Sequence, residues 1–323
     1  MKTSFHAGYF CHRRSVSSRK SLFRTLLLIT WLAIGAGRSA PATGSFAGTD
    51  NPIAAPTPQS TAPSAPAPQA RTAPQSGESQ DAAALPEGMR IPRYAPGAIP
   101  FGDGAQLVYR ASWIGIPAAD ARIELHRDRK NRAMWSGEAW LSTNKAVDIL
   151  YQMRDHLRED FSRSSLAPAG FHITQHENRR RNEYLASFDH KTGVVTMTKR
   201  NRRGAQTSRF LSHNPWGPIS GAMMALSQPL ALGDELTFDV FGGRNRYVIR
   251  FKVARRERIS TPLGDFDALR IVPSMLYLSD SDARHEARET TVWVSADDRH
   301  LPLRIEAAAF IGTLRIDLIK ASP

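Results

Sequence analysis

The chain has 323 residues, of which 41% are hydrophobic and 23% are charged, and its formal net charge is +13. The single cysteine, Cys11, lies near the N-terminus, which excludes a disulfide, a thiol nucleophile and a cysteine-based zinc site from the rest of the chain. The positive charge favours anionic neighbours such as lipid head groups, acidic polysaccharide or nucleic acid, although arginines on a solvated surface give the same composition.

Residues 1–42 are typical of a secretory signal peptide. Residues 1–24 contain several lysines and arginines but no acidic residue, and the apolar run TLLLITWLAIGAG follows them. Because this run is shorter than the ~20 residues that span a bilayer comfortably, we expect a cleaved signal and a periplasmic protein. Inner-membrane anchoring is the alternative if the signal is retained. A mitochondrial presequence fits the basic residues but not so compact an apolar run, and no nucleic-acid partner is expected in the periplasm.

Residues 43–100 are predicted to be a disordered linker. Residues 41–100 hold 12 of the 21 prolines, with Ala, Ser, Thr and Gln between them and few large apolar side chains. Such a segment buries too little surface to offset the entropy lost when it becomes ordered. Residues 101–323 are enough for one sizeable core, so we expect a single domain there.

The first half of the domain shows the period-two alternation of strands. LVYRASWIGIPAADARIEL predicts a hairpin that turns at Gly115, and MWSGEAWLST predicts a third strand. AVDILYQMRDHLREDF fits a helix or a strand, and the favoured interpretation is a short helical turn that leads into a strand. AGFHITQHENRRRNEYLASFDHKTGVVTMTKRNRRG then predicts three strands, with DHKTG as a tight turn.

A helix and a second run of strands complete the domain. The best helix candidate is Ile219 to Leu226, which follows a break at Pro215 to Pro218 and is expected to plug one end of the sheet. ELTFDVF resumes the strands, and alternation then runs almost unbroken from Arg246 to Lys320. In RYVIRFKVARRERI two faces are predicted, an apolar one with Tyr247, Ile249, Phe251 and Val253, and a basic one with Arg246, Arg250, Lys252 and Arg256.

Further strands are predicted at TTVWVS, LPLRIEAA and GTLRIDLI, with short turns between them. Consecutive strands joined by short turns form antiparallel meanders. The predicted fold class is therefore all-β, with an antiparallel meander that forms a curved sheet, half-barrel or open barrel, and with one or two short helices.

Several of these segments resemble one protein family. The segments are LVYRASWIGIPAADARIEL, LAPAGFHITQHE, YLASFDHKTGVV, LALGDELTF, RERISTPLGDFDALRIVP and VWVSADDRHLPLRIEAAAFIGTLRIDL. They are similar to domain-of-unknown-function family 3108, which comprises exported proteins of Gram-negative bacteria, and the similarity extends over residues 104–320. The resemblance implies an exported antiparallel β domain. It implies no catalytic residue, because the shared motifs are turns and core positions.

The candidate ligand-binding residues are basic and aromatic. Two basic clusters lie near the ends of predicted strands, and the candidates in them are Arg179, Arg180, Arg181, Lys199, Arg200 and Arg202. The aromatic candidates Trp113 and Trp135 belong to a larger set that either fills the core or lines the mouth of a cavity. Because basic side chains bind phosphate, the combination predicts a site for an anionic lipid or lipopolysaccharide at a membrane surface.

Motifs for metal binding are weak in this sequence. His172 and His176 fall on one face of a strand but ~13 Å apart along it, which is too far for one metal ion. The acidic loop at Asp280, Asp282 and Glu286 lacks the glycine of a calcium-binding loop. We therefore expect no metal site and no cofactor.

Asp155, Glu159 and Asp160 are the candidates for the paired carboxylates that glycoside hydrolysis requires. The arginines beside them, Arg154 and Arg158, predict that these carboxylates are surface charges held ionised in ion pairs. On this interpretation no catalytic residue is identified.

These observations support three functions in decreasing order. The first is a non-catalytic periplasmic envelope protein that binds a hydrophobic or amphiphilic, lipid-like component. The second is a structural or adaptor protein whose sheet edge or basic face docks another envelope protein. The third is a polysaccharide hydrolase, which needs convergent carboxylates that the linear sequence does not reveal.

Overall fold

The computed structural model describes residue 85 and residues 88–243, 245–278, 289–309 and 312–322, which form strands and two short helices. The first eight strands are β1 (Gln106–Trp113), β2 (Ile116–Arg127), β3 (Met134–Thr143), β4 (Met153–Ser162), β5 (Pro168–Glu177), β6 (Arg180–Asp189), β7 (Val194–Asn201) and β8 (Gly204–Leu211). The next seven are β9 (Pro215–Trp216), β10 (Glu235–Gly242), β11 (Asn245–Thr261), β12 (Gly264–Leu278), β13 (Thr290–Ser295), β14 (Pro302–Ala308) and β15 (Thr313–Ser322). The helices are α1 (Lys145–Asp148), between β3 and β4, and α2 (Pro218–Ser227), between β9 and β10. Neither of these helices is long and apolar enough to cross a bilayer.

All fifteen strands belong to one sheet, in the order β8-β7-β6-β5-β4-β3-β2-β1-β15-β14-β13-β12-β11-β10-β9. The pairing of β1 with β15, in which Ala111 lies opposite Ile316, joins two meanders into one curved sheet. The edge strands β8 and β9 do not pair with each other, so the sheet is open. Side chains nevertheless meet near the gap, since the rings of Phe210 on β8 and Phe241 on β10 are 5.5 Å apart. The predicted all-β open sheet with short helices is confirmed.

The alternation of the antiparallel strands gives the barrel-like sheet two distinct ends. The arginine end carries the β1–β2, β5–β6 and β7–β8 turns and the loop that contains α1. The helix end carries the β2–β3, β4–β5 and β6–β7 connections, and α2 packs there. At the helix end the His300 ring lies 2.8 Å from the carbonyl oxygen of Leu226, the ninth residue of α2.

The concave face of the sheet is filled by apolar side chains from strands all around it. On β4, for example, Met153, Leu157 and Phe161 alternate inward and are completely buried. Leu157 and Phe161 belong to the same apolar cluster as Phe238 of β10 and Met224 of α2, which are also completely buried. Because one core draws on so many strands, the described strands pack together as one unit.

Helix α2 is held in the barrel by a buried carboxylate. The backbone N–H groups of Ile219 and Ser220 donate to Glu159 on β4 at 2.6 and 3.2 Å. Gly217 at the N-cap is required here, since a Cβ atom on it would overlap the Glu159 carboxylate. The predicted helix at Ile219 to Leu226 is thus confirmed, with one further residue at each end.

Two expectations for the strands are wrong. Strand β8 was not predicted, because GAQTSRFL is mostly exposed on both faces and therefore shows no apolar alternation. Arg246 was placed on a solvent face of β11 but is almost completely buried, and its guanidinium forms two hydrogen bonds with Asp239 at 2.9 and 2.8 Å. The first residues of β11 are buried on both faces, so alternation does not assign their direction.

The last part of the predicted linker packs on the domain. The Tyr94 ring stacks on Phe238 at 4.7 Å, and its hydroxyl accepts a hydrogen bond from the Thr237 N–H at 2.8 Å. The side chain of Asn214 donates to the Ile91 carbonyl at 3.3 Å. The predicted boundary at residue 100 is therefore too far along the chain. The predictions for residues 1–84 lie outside the described residues.

Candidate functional site

The two basic clusters lie side by side at the arginine end. Arg179 is in the β5–β6 turn, and Arg202 is in the β7–β8 turn. Strands β6 and β7 pair with Asn182 opposite Asn201, so the two turns occupy neighbouring positions on the rim. We call this surface the arginine arc, and it comprises Arg179, Arg180, Arg181, Lys199, Arg200 and Arg202.

Most arginines of the arginine arc lack an acidic partner. Within the described ranges, no ion pair joins Arg179, Arg181, Arg200 or Arg202 to a carboxylate, and all four side chains are exposed. Exposed arginines of β11 differ, because they form ion pairs at 3.0–3.5 Å. These pairs are Arg255 with Glu257, Arg256 with Asp267 and Arg258 with Asp265. The guanidinium groups of the arginine arc therefore keep their donors available for an external anion.

The two candidate tryptophans lie at opposite ends of the barrel. Trp113 ends β1 at the arginine end and is partly buried against the apolar cluster that contains Met153. Trp135 lies at the helix end, buried in the main core, with the Arg163 guanidinium 5.1 Å from its ring centre. The structure brings Trp113, but not Trp135, to the end that carries the arginine arc.

A buried acidic group lies beneath the arginine arc, and the sequence analysis missed it. Asp155 on β4 is buried and accepts a hydrogen bond from the His176 N–H at 3.1 Å. Burial and then the charge of Glu177 raise the pKa of Asp155 to about 7. Burial also raises the pKa of Glu177, against the opposing effects of a hydrogen bond from Tyr151 and the charge of Arg180. Arg180 thus links the arginine arc to this acidic group.

The expectation that Asp155 and Glu159 are surface charges is wrong. Both are buried, because Met153, Asp155, Leu157, Glu159 and Phe161 share the inward face of β4. Burial raises the pKa of Glu159 to about 7, although hydrogen bonds from Ser220 and Ile219 oppose the shift. The alternation in MRDHLREDF is the signal that would have found them.

These two carboxylates do not form a glycosidase pair. Four residues of extended strand separate them by ~13 Å, whereas carboxylates that hydrolyse glycosides lie about 5–9.5 Å apart. Glu159 is moreover occupied as the N-terminal partner of α2. Asp160, the third residue considered, faces outward and pairs with Arg158 at 3.3 Å.

One buried side chain next to the acidic group has an unused donor. Gln175 on β5 lies opposite Asp155 in the ladder and is almost completely buried. Its Nε2 has no hydrogen-bond partner among the described residues. Buried donors are normally satisfied, so this position is one where a water molecule would bind.

A small apolar cavity lies at the helix end, between α2 and the first three strands. Its volume is about 80 Å³. Its wall includes Leu107, Tyr109, Ile123, Ala139 and Met223. Ligand pockets usually measure about 300–1,000 Å³, so this space takes at most a short apolar segment unless α2 moves.

The two histidines considered as metal ligands are not part of this site. His172 and His176 lie on the outer face of β5, where His172 is 4.0 Å from Glu183. Among the described residues no cluster of three or more His, Cys, Asp or Glu side chains is arranged to hold a metal ion. The acidic loop at Asp280 to Glu286 lies outside the described residues.

Comparisons with known proteins give a family and a set of distant structures. A family model described as a protein of unknown function (DUF3108) matches residues 108–319. No curated protein matches the chain. A crystal structure of a β-barrel-like protein of domain of unknown function DUF1849 from Brucella abortus is 7% identical, covers 71% of this chain and 98% of its own, and has a TM-score of 0.46.

Two further solved structures are similar over most of their own lengths. A candidate lipoprotein from Parabacteroides distasonis is 11% identical, with a TM-score of 0.30, and covers 72% of this chain and 100% of its own. A candidate exported protein with a YmcC-like fold from Bacteroides fragilis is 11% identical, with a TM-score of 0.28, and the match covers 72% of this chain and 99% of that protein.

Proposed function

The chain belongs to the DUF3108 family, and we propose that this member is an exported, non-catalytic envelope protein that binds an anionic amphiphile through the arginine arc. The observation that carries the proposal is the contrast in ion pairing between the arginine arc and the exposed arginines of β11. Among the described residues, Arg179, Arg181, Arg200 and Arg202, in and beside two adjacent turns, lack acidic partners, whereas the β11 arginines have them. These β11 residues are Arg255, Arg256 and Arg258. A cluster of unpaired guanidinium groups suits the phosphate of a lipid or lipopolysaccharide head group.

Export to the periplasm is part of this proposal and is supported by the leader sequence. The basic, acid-free start and the short apolar run have the form of a signal peptide. Sequencing the N-terminus of the protein from a periplasmic extract should show that the apolar run has been removed. Recovery of the protein with Met1 intact from the cytosol would contradict export.

The acyl part of the ligand is expected to contact the apolar residues around Trp113 at the arginine end. The cavity of about 80 Å³ beside α2 is too small for a whole acyl chain, and it lies at the opposite end from the arginine arc. Head-group recognition at the rim is therefore the main source of affinity in this proposal, and salt should weaken it.

The test is a titration of the full chain with a short-chain phosphatidylglycerol, kept monomeric, at low and at high salt. Replacing Arg179, Arg181, Arg200 and Arg202 together by glutamine should abolish saturable binding. Each exposed contact contributes about 0.2–1 kcal/mol, and salt screens it, so binding by the unmodified chain should weaken as salt rises.

The matched control replaces four exposed arginines of β11 by glutamine, namely Arg250, Arg255, Arg256 and Arg258. This variant carries the same change in net charge but should bind as the unmodified chain does. Equal losses in the two variants would show that only the overall charge matters. Absence of saturable binding by the unmodified chain at both salt concentrations would refute the proposal.

A second candidate function, an adaptor for another envelope protein, is favoured by the free edge of β8. Among the described strands, β8 pairs only with β7, and most of its residues are exposed. An unpaired strand edge is a template for an extended segment of a partner. Chemical crosslinking from the β8 edge in whole cells tests this function, and failure to capture any envelope protein would contradict it.

A further inference from the structure

We propose that the arginine end docks on the surface of an anionic lipid bilayer, with exposed apolar residues of two neighbouring turns entering the interface beside the arginine arc. This proposal rests on the proposed function and extends it, because it states that the protein binds the amphiphile as part of a bilayer. The apolar residues are Ile114, Ile116, Ile149 and Leu150, and we call them the apolar tips.

The apolar tips are among the most exposed large hydrophobic side chains in the described part of the chain. Ile149 is 85% exposed and Leu150 is 78% exposed, directly after α1. Ile116 and Ile114, in and beside the β1–β2 turn, are 67% and 56% exposed. A single exposed large hydrophobic residue needs no explanation. Four such residues at one end of a domain indicate a surface that contacts an apolar partner.

Hydrogen bonds hold the two apolar turns together. The Asn144 side chain donates to the Pro117 carbonyl at 2.6 Å, and the Asn144 N–H donates to the Ala118 carbonyl at 3.0 Å. The same side chain accepts from the Val147 N–H at 3.0 Å and so caps α1, which leads directly to Ile149. The apolar tips therefore form one supported surface rather than two independent loops.

The same rim continues directly into the arginine arc. The Gln152 N–H donates to the Asn178 side chain at 2.8 Å, and the Asn178 N–H donates back to the Gln152 carbonyl at 2.8 Å. Arg179 is the next residue along the chain. Apolar residues that adjoin unpaired arginines match the interface of an anionic bilayer, where acyl chains lie just below phosphate groups.

The backbone at Ile114 gives a second, independent indication of function. Ile114 and Gly115 form the two-residue β1–β2 turn with φ angles of +50° and +78°. Glycine accepts this left-handed conformation, whereas a β-branched residue is strained there and asparagine is strongly preferred. Strained residues persist mainly where they serve a function, and this strain keeps an isoleucine exposed at the tip of the turn.

A neighbouring protein is the main alternative for the apolar tips, and the arginines favour the bilayer over it. A stable protein interface would bury an apolar centre with few charges in it. Here the apolar tips are at one side of a rim whose other side carries four arginines that form no ion pair with a described carboxylate. The arginines therefore favour a partner that has both an apolar interior and a high density of negative charge at its surface, as an anionic bilayer does.

The experiment is sedimentation of the full chain with vesicles of phosphatidylcholine that contain phosphatidylglycerol, compared with phosphatidylcholine alone. Replacing Ile149 and Leu150 by serine should lower vesicle affinity on the order of tenfold, at low and at high salt, because the loss is apolar. Replacing arginines of the arginine arc should lower it on the order of fivefold each at low salt and less at high salt.

The matched control replaces Leu211 and Leu232 by serine, since these residues are 71% and 62% exposed but lie at the helix end. This variant should bind vesicles as the unmodified chain does. Vesicle binding unchanged in the Ile149 and Leu150 variant would overturn the docking proposal, while leaving the monomeric phosphatidylglycerol titration, and with it the proposed function, intact. Dimerisation without lipid that the same variant abolishes would also overturn it, by assigning the apolar tips to a second copy.

The variant Ile114→Asn separates docking from folding. Asn-Gly suits this turn, so the melting temperature should rise by roughly 2 °C while vesicle affinity falls several-fold. A rise in melting temperature with undiminished vesicle binding would exclude Ile114 from the docking surface and count against the proposal.

Discussion

The arginine end and the helix end are built from the same strands but are finished in opposite ways. At the helix end, α2 is capped by Glu159, and its C-terminal part contacts the loop before β14 through His300. At the arginine end, four described arginines of the arginine arc form no ion pair with a described carboxylate, and the apolar tips are exposed. Strand β4 runs between the two, with Asp155 near one end and Glu159 near the other. From this comparison we expect stability to be concentrated at the helix end, and we propose that the exposed side chains of the arginine end serve binding.

The largest expected effect is in the main core, to which α2 contributes. Phe238→Ala removes a completely buried ring that packs against Trp216, Phe251 and Tyr94, so it should lower the free energy of unfolding by ~3–5 kcal/mol. Leu150→Ala, at the arginine end, should change it by about 0.5 kcal/mol or less. Urea denaturation measures both. Similar losses in the two variants would mean that stability is shared equally between the ends.

The second effect is a dependence of stability on pH that arises from the buried carboxylates. Burial raises the pKa of Asp155 and of Glu159 to about 7, so the folded state binds more protons than the unfolded state between about pH 4 and pH 7. Stability should therefore fall as pH rises through this range. At about 1.4 kcal/mol per pKa unit, the contribution of Asp155 is on the order of 2–4 kcal/mol.

The variant Asp155→Asn assigns that pH dependence to the arginine end. Denaturation between pH 4 and pH 8 should show a shallower decline than in the unmodified chain, with the remaining slope due to Glu159. Asp160→Asn, on the outer face of the same strand, serves as the control and should leave the slope unchanged. An unchanged slope in Asp155→Asn would contradict the burial of an ionisable group beneath the arginine arc.

The smallest of the three effects concerns the contact between Glu159 and α2 at the helix end. Glu159→Ala leaves the N–H groups of Ile219 and Ser220 without their acceptor, which should cost about 1–2 kcal/mol of stability. Vesicle binding at the arginine end should not change. A loss of vesicle binding as large as that of the Ile149 and Leu150 variant would show that the two ends are coupled through β4.

Much of the fold was accessible from the sequence because local alternation reports which side of a strand is buried. The β1–β2 hairpin, the helical turn before β4, α2 and the closing meander all follow from patterns a few residues long. Strand β8 was not predicted because it lies at the sheet edge, where neither face is buried enough to require apolar residues.

The sequence by itself determined the all-β class, the place of α2 and the existence of two basic clusters near strand ends, because each depends on neighbouring residues alone. Tertiary structure decided which charged residues are buried. Arg246 and Asp239 are buried because their hairpin pairs them, and Asp155 and Glu159 are buried because the sheet curves around the inward face of β4. The curved sheet likewise places the apolar tips beside the arginine arc. The order of the strands in the sheet, and not the distance along the chain, decides which turns lie next to each other.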